Sequence, residues 1–281
     1  METQQQFSQV LTEDLTTKSG IFCRRTYTPS STASLILVMG YGGSLRVWPA
    51  KFVQQLAQKF EVISYDNRGT GLSCIPQEPS DYSIKLMAQD ASEVLDVFGV
   101  TSVNVFGYSM GGCIALQYAH DHGSTVNSLT LLSATAGGAL YVKPDPALSE
   151  ALANPRGETL WDMYLSTFQL MYSPEQLKTC EPALRAIYEV SKDTATSQTA
   201  LRGHSFAFKN FDGTKLLPEL RMPVTIIAGS DDRLMPVQNS TNIANAIPQA
   251  RLVLIPGCEH GAHVQEQERV VSEIIKTSGL S

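Results

Sequence analysis

The sequence predicts an α/β protein, with a mostly parallel central sheet, helices on both of its faces and a helical segment inserted between two strands. Three observations predict it. Six apolar, β-rich runs recur along the chain, helical patterns alternate with them, and one long interval is helical and aromatic with no buried strand in it. The strand runs are hydrophobic without alternating, which marks strands covered on both faces.

The first run is LILVM (35–39), followed by the helical pattern WPAKFVQQLAQKF. EVISY (61–65) is followed by SIKLMAQDASEVLDVFG, and VNVFG (103–107) by CIALQYAHDHG, which closes at Gly123. After SLTLLS (128–133) the rhythm stops. It resumes with VTIIAG (224–229) and VQNSTNIANAI, then RLVLIP (251–256) and VQEQERVVSEIIKTSG. Strands joined through helices are crossover-connected, so they pair in parallel. The division expected from this rhythm is a core of residues 1–136 and 218–281 around a helical cap of residues 137–217. GGALYVKPDPALSE forms the entry loop and NFDGTKLLPELRMP the return.

At 281 residues the chain is long enough to bury a large core, and its 43% hydrophobic and 17% charged residues are those of a globular protein. The net charge of −6, without a run of Lys or Arg, excludes a phosphate-binding footprint, so neither nucleic acid nor an anionic membrane is an expected partner. The polar start METQQQFSQVLTEDLTTKSG and the lack of any span-length apolar stretch predict a cytoplasmic protein. Cys23, Cys74, Cys113, Cys180 and Cys258 are odd in number and show no zinc spacing, which predicts free thiols and no metal. No cofactor is expected.

VFGYSMGG (105–112) sets a serine between glycines where a strand meets a helix. Gly107, Tyr108, Ser109, Met110 and Gly111 fill the GxSxG pattern, a turn so tight that only small residues fit on either side of the serine. The turn holds the Ser109 hydroxyl out at the carboxyl edge of the sheet, and the backbone N–H of Met110 points the same way, suited to an oxyanion. A serine hydroxyl needs a base. His120 and His122 end the helix that Ser109 begins, about 15 Å away at helical rise, and His204 falls in the inserted segment. His260 and His263, in IPGCEHGAHVQEQE, remain. A carboxylate must orient the base, and IIAGSDDRLMP offers Asp231 and Asp232 at another strand end.

With YDNRGTGLS (65–73) following an earlier strand, the chain resembles the α/β-hydrolase superfamily, in the serine-esterase-like branch that carries a helical cap. The resemblance runs from LILVMGYGGSLRVWP to the last helix. Asp66, Arg68, Gly69, Gly71 and Ser73 match its DxRGxGxS motif, read as structural. It implies His260 as the base, matching the GH histidine of PGxGHxxxxE with Glu259 in place of the glycine, and it implies Asp232 through GxxDxxxP with Gly229 and Pro236. The second oxyanion donor it implies is the N–H of Tyr41. Met39 stands where most relatives have histidine, but a backbone donor survives that change. The serine at position 109 disfavours an epoxide hydrolase or haloalkane dehalogenase, which carry aspartate there.

The aromatics Trp161, Tyr164, Phe168 and Tyr172 form one helical stripe. Packing accounts for most of such a stripe, and Trp161, Tyr164 and Phe168 are also the candidates to line an apolar acyl pocket. The expected function is hydrolysis of a small to medium apolar carboxylic ester, thioester or lactone through an acyl-enzyme, with a small-molecule ester as the partner. The alternatives are C–C hydrolysis of a vinylogous diketone with the same residues, and a slow or non-catalytic ligand receptor. Every candidate catalytic group lies outside the cap, so its removal is expected to alter substrate choice more than chemistry.

Overall fold

The computed structural model describes residues 9–280 and contains an eight-stranded sheet, two strands more than the apolar runs. The additional pair is β1 (Leu11–Thr16) and β2 (Phe22–Tyr27), an antiparallel hairpin with Leu11 opposite Tyr27 and Thr16 opposite Phe22. Its residues LTEDLT and FCRRTY are charged because β1 is an edge strand. Arg24 pairs with Asp14 at 2.7 Å, and Arg25 pairs with Glu13 and, at 2.8 Å, with Glu61. Cross-strand ion pairs on an open edge replace the hydrophobic pattern that betrays an inner strand.

The other six strands are β3 (Ala33–Val38), β4 (Phe60–Tyr65), β5 (Val103–Tyr108), β6 (Val126–Leu132), β7 (Val224–Gly229) and β8 (Arg251–Ile255). Each lies within two residues of its apolar run. The sheet order is β1-β2-β4-β3-β5-β6-β7-β8, antiparallel at β1–β2 and β2–β4 and parallel from β4 to β8. All residues of β5 and β7 are buried. The expectation of two covered faces fails at β8, where only Ile255 is buried and Leu254 is 43% exposed. As the second edge strand, β8 has a neighbour on one side only.

One face of the sheet is covered by α2 (Ile84–Val97), α3 (Met110–Asp121) and α8 (Gln238–Ala246), which share a core with Ile36, Val105, Leu129 and Ile226. The other is covered by α1 (Ala50–Ala57) and α10 (Gln267–Ser278), packed with Leu37, Phe106, Leu132 and Ile227. The last helical pattern is split by Glu266 into α9 (Ala262–Gln265) and α10.

Between β6 and β7 the chain forms the helical insertion: α4 (Pro146–Ala153), α5 (Leu160–Met171), α6 (Pro174–Ser191) and α7 (Gln198–Lys209). Asp145, Thr159, Ser173 and Ser197 each accept a backbone N–H at the start of their helix, and Thr159 and Ser173 complete capping boxes with Asp162 and Gln176. The ends of the insertion meet in an antiparallel bridge between Gly137 and Asp212. The chain order reverses direction across the sheet between β3 and β5. At such a switch point the loops leaving two strands diverge and open a crevice at the carboxyl edge. No described helix is long and apolar enough to cross a membrane.

Candidate active site

The loop after β5 makes the tightest turn at that edge. Ser109 has φ 55° and ψ −123°, a strained conformation for a residue with a side chain. The turn closes because glycines flank it. A Cβ on Gly107 would lie 2.6 Å from Ala115 Cβ, and one on Gly111 only 2.2 Å from the carbonyl oxygen of Val38. The chain order at the switch point brings the loop after β3 directly alongside. A Cβ on Gly40 would stand 3.0 Å from Ser109 Cβ and 3.6 Å from the Met110 nitrogen. Among the described residues neither the Tyr41 nor the Met110 amide N–H has a protein acceptor. Two donors left free beside one serine are an exception to the usual pairing of backbone groups and are suited to an external acceptor.

The loops after β7 and β8 complete the cluster. Asp232 Oδ1 accepts the N–H groups of Leu234 at 3.0 Å and Met235 at 2.8 Å, which fixes the carboxylate and leaves Oδ2 to His260 Nδ1 at 2.8 Å. With Nδ1–H donated to Asp232, the opposite nitrogen, Nε2, is the acceptor, and it stands 3.1 Å from Ser109 Oγ. His260 is held from behind by Ser133, whose N–H donates to Ile227 O at 2.9 Å and whose Oγ reaches His260 O at 3.5 Å. The ring of Tyr108 lies 5.1 Å from that of His260.

The neighbouring candidates lie elsewhere. Asp231 is exposed and accepts from Ser230 Oγ at 2.7 Å. His263 is buried among the rings of Trp48, Phe52 and Tyr108, at 5.4, 6.3 and 4.4 Å, and burial pushes it down to about 3. His120 bonds Asp121 and Glu219, and His122 stacks on Tyr118. Glu259, beside the candidate base, is buried with Arg233 at 3.8 Å, and burial raises its carboxyl above the usual range.

The DxRGxGxS residues bind the fold together. Asp66 accepts the N–H groups of Leu45 at 2.7 Å and Leu72 at 2.8 Å. Arg68 forms a two-pronged pair with Asp90 at 2.7 Å, and Ser73 donates to Asp66 O at 2.6 Å.

Trp161, Tyr164, Phe168 and Tyr172 pack within the insertion. Trp161 and Tyr164 lie 5.0 and 5.2 Å from Tyr188 of α6, and Phe168 and Tyr172 share a small core with Cys180, Leu184 and Ile187. The packing half of the sequence reading accounts for these contacts. Tyr172 also touches the histidine loop, its hydroxyl donating to Gly261 O at 3.4 Å.

His204, passed over in the sequence because it falls in the insertion, reaches the loop beside Ser109. Its Nδ1 accepts the N–H of Gly42 at 3.1 Å and its Nε2 donates to Arg68 O at 2.9 Å. Nothing in the pattern of α7 distinguishes it from a packing histidine. All five cysteines are free, and no described group of His, Cys, Asp and Glu is arranged to hold a metal.

This sheet order, with a strained serine at the carboxyl edge, is that of an α/β hydrolase. The family model for the alpha/beta hydrolase fold matches residues 33–267, and the chain belongs to that family. It is 30% identical over 236 residues, 82% of this chain and 86% of the other, to a protein of Pseudomonas savastanoi pv. phaseolicola provisionally named carbamate hydrolase RutD. It is 31% identical over 222 residues, 79% of this chain and 76% of the other, to a poly(3-hydroxyalkanoate) depolymerase of Ectopseudomonas oleovorans. Among solved structures, an esterase from Rhodococcus sp. ECU1013 superposes with a TM-score of 0.79 at 25% identity, covering 95% of this chain and 98% of that one.

Proposed function

We propose that the chain is a serine hydrolase that cleaves carboxylic esters through an acyl-enzyme, with Ser109 as nucleophile, His260 as base and Asp232 as its orienting carboxylate. One observation carries the reading: a single line of hydrogen bonds runs from Asp232 Oδ2 through both nitrogens of His260 to Ser109 Oγ, at 2.8 and 3.1 Å. In the reaction Ser109 Oγ attacks the ester carbonyl and its proton passes to His260 Nε2. The developing oxyanion is received by the N–H groups of Tyr41 and Met110. Collapse breaks the acyl C–O bond, and the Nε2 proton leaves with the alcohol. Water then repeats the sequence, giving its proton to His260 and releasing the acid and free Ser109. Asp232 keeps the imidazole in the tautomer whose Nε2 can accept, and stabilises the imidazolium.

The names of the relatives support hydrolysis at an acyl carbon, an ester in two of them and a carbamate in the third. The inserted helices, residues 137–217, form a cap over this edge in our reading, and they touch it at Gly42 and Gly261. The test is turnover of p-nitrophenyl esters of graded acyl length, with lactones alongside, by the parent and by Ser109→Ala. The reading expects Ser109-dependent release of p-nitrophenol on at least part of the series. Equal rates for the parent and Ser109→Ala on every compound would refute it.

A further inference from the structure

The turn that follows β3 is held from the insertion by both peptide groups of one residue. Gly43 N–H closes the turn onto Gly40 O at 3.3 Å, and Gly42, at its third position, has φ +66°, as a type II turn requires. The central peptide of such a turn flips readily unless something holds it. Here its N–H, that of Gly42, donates to His204 Nδ1 at 3.1 Å, and the next carbonyl, Gly42 O, accepts from Thr196 Oγ1 at 2.7 Å. Both His204 partners are backbone groups of fixed polarity, so the ring must be neutral with its proton on Nε2, facing Arg68 O. His204 has no exposed surface, and burial pushes it down to about 4, which keeps it neutral at physiological pH. Around it α7 is packed without slack: a Cβ on Gly203 would stand 2.3 Å from Tyr82, and one on Gly42 2.6 Å from Leu201. Ser205 adds a hydrogen bond to the Tyr41 hydroxyl at 3.3 Å.

The geometry points to His204 and Thr196 as positioning residues: from the cap they fix the Gly40–Gly43 turn, and with it the aim of the Tyr41 N–H at the oxyanion. The inference rests on the esterase reading above. It also revises what cap removal should do, because a deletion that takes His204 and Thr196 lowers turnover of every ester as well as changing which esters are accepted.

Two replacements of His204 separate its two bonds. Asn places an oxygen where Nδ1 stands and keeps the acceptor for Gly42, whereas Gln places its NH₂ near Nε2 and keeps only the donor to Arg68 O. A residue needed merely to fasten the cap would be served equally by either bond, since Gly42 and Arg68 both belong to the body. The expected result is that His204→Gln lowers kcat at least about tenfold with KM within about threefold, against a loss of order 10² to 10³ for a missing oxyanion donor. His204→Asn stays within about threefold of the parent. Thr196→Val, at a half-buried site that tolerates the change, lowers kcat about three- to tenfold. The Ki of an aryl trifluoromethyl ketone, whose hemiketal oxyanion occupies the same amides, rises in step with each loss of kcat. Thr196→Val and the Ki series decide the matter should His204→Gln fail to fold. Parent-like kcat in Thr196→Val, or equal losses in His204→Asn and His204→Gln, would overturn the assignment while Ser109-dependent turnover leaves the esterase reading standing. A parent with no Ser109-dependent turnover would overturn both.

Discussion

The carboxyl edge of the sheet and the inserted helices solve different problems. At the edge, backbone does most of the positioning: Ser109 is set by a turn that two glycines permit and Asp232 by two amides of its own loop, while the Ser133 hydroxyl, just past β6, reaches the backbone of His260. The insertion instead relies on side chains. Its four helices are capped by side chains, α5 and α6 pack about a core of Phe168, Tyr172, Cys180, Leu184 and Ile187, and Leu160, Met163, Val190 and Phe206 are left exposed. Proton transfer fails when a distance changes by an ångström, so its groups are placed where the chain has least freedom. Recognition of an apolar group tolerates more slack. The difference predicts that changes at the edge act on turnover or on folding as a whole, and that changes in the insertion act locally except at Thr196 and His204, which reach the edge through Gly42.

The sharpest way to break that contrast is at the histidine. His260→Ala should lower kcat on the order of 10⁴ or more, nearly as much as losing Ser109, because members of one catalytic unit fail together. Asp232→Asn should cost about 10² to 10⁴ by leaving the wrong tautomer, and Asp231→Asn less than about tenfold. Steady-state kinetics on one p-nitrophenyl ester ranks all three, and a larger loss at Asp231 would break the assignment. Gly111→Ala tests the backbone directly. A methyl group 2.2 Å from Val38 O cannot be accommodated without moving β3 or α3, so denaturant titration should show a loss of about 1 to 3 kcal/mol.

A smaller effect comes from the buried histidine of the main body. His263 is pushed down to about 3, so below about pH 6.5 the unfolded chain takes up its proton first. Unfolding then binds the extra proton, and stability falls with pH, by about 1.4 kcal/mol per unit from this group. His204 contributes the same sign between about pH 6.5 and its own value of about 4. Comparing denaturant midpoints at pH 7 and 5, His263→Phe should show a shallower fall than the parent. An equal fall would mean that the ring is charged in the native state. Least of all, Ser191→Ala removes a hydroxyl that contacts Tyr164 at 3.2 Å and Ile187 O at 2.7 Å within the insertion. It should lower stability by about 1 kcal/mol and leave kcat unchanged.

Much of the body was legible because buried parallel strands write themselves as continuous apolar runs, and β3 to β8 follow those runs within two residues. The β1–β2 hairpin was hidden by its ion pairs, which look like loop composition until Arg24 and Arg25 are seen across from Asp14 and Glu13. In β8, the apolar run gave no sign that the strand is an edge. The insertion read only as a helical interval, although Asp145, Thr159, Ser173 and Ser197 are N-cap signals that divide it into its four helices. In the candidate site, residue types and strand ends narrowed the choice to two histidines and two aspartates, and motif spacing was needed to prefer one of each. The structure brings Ser109, His260 and Asp232 within hydrogen-bond reach and buries His263 behind them. The contact from His204 to Gly42 joins residues 162 positions apart, and no local pattern announces such a meeting.

The account turns on Ser109 as a nucleophile, and covalent capture tests it most directly. The protein is incubated with a p-nitrophenyl alkylphosphonate, and the adduct is weighed intact and then located by peptide mass spectrometry. The account predicts one phosphonyl group per chain, carried on Ser109, with release of one equivalent of p-nitrophenol and none from Ser109→Ala. Stoichiometric labelling of any other residue, or an unlabelled Ser109 in folded protein, would contradict it.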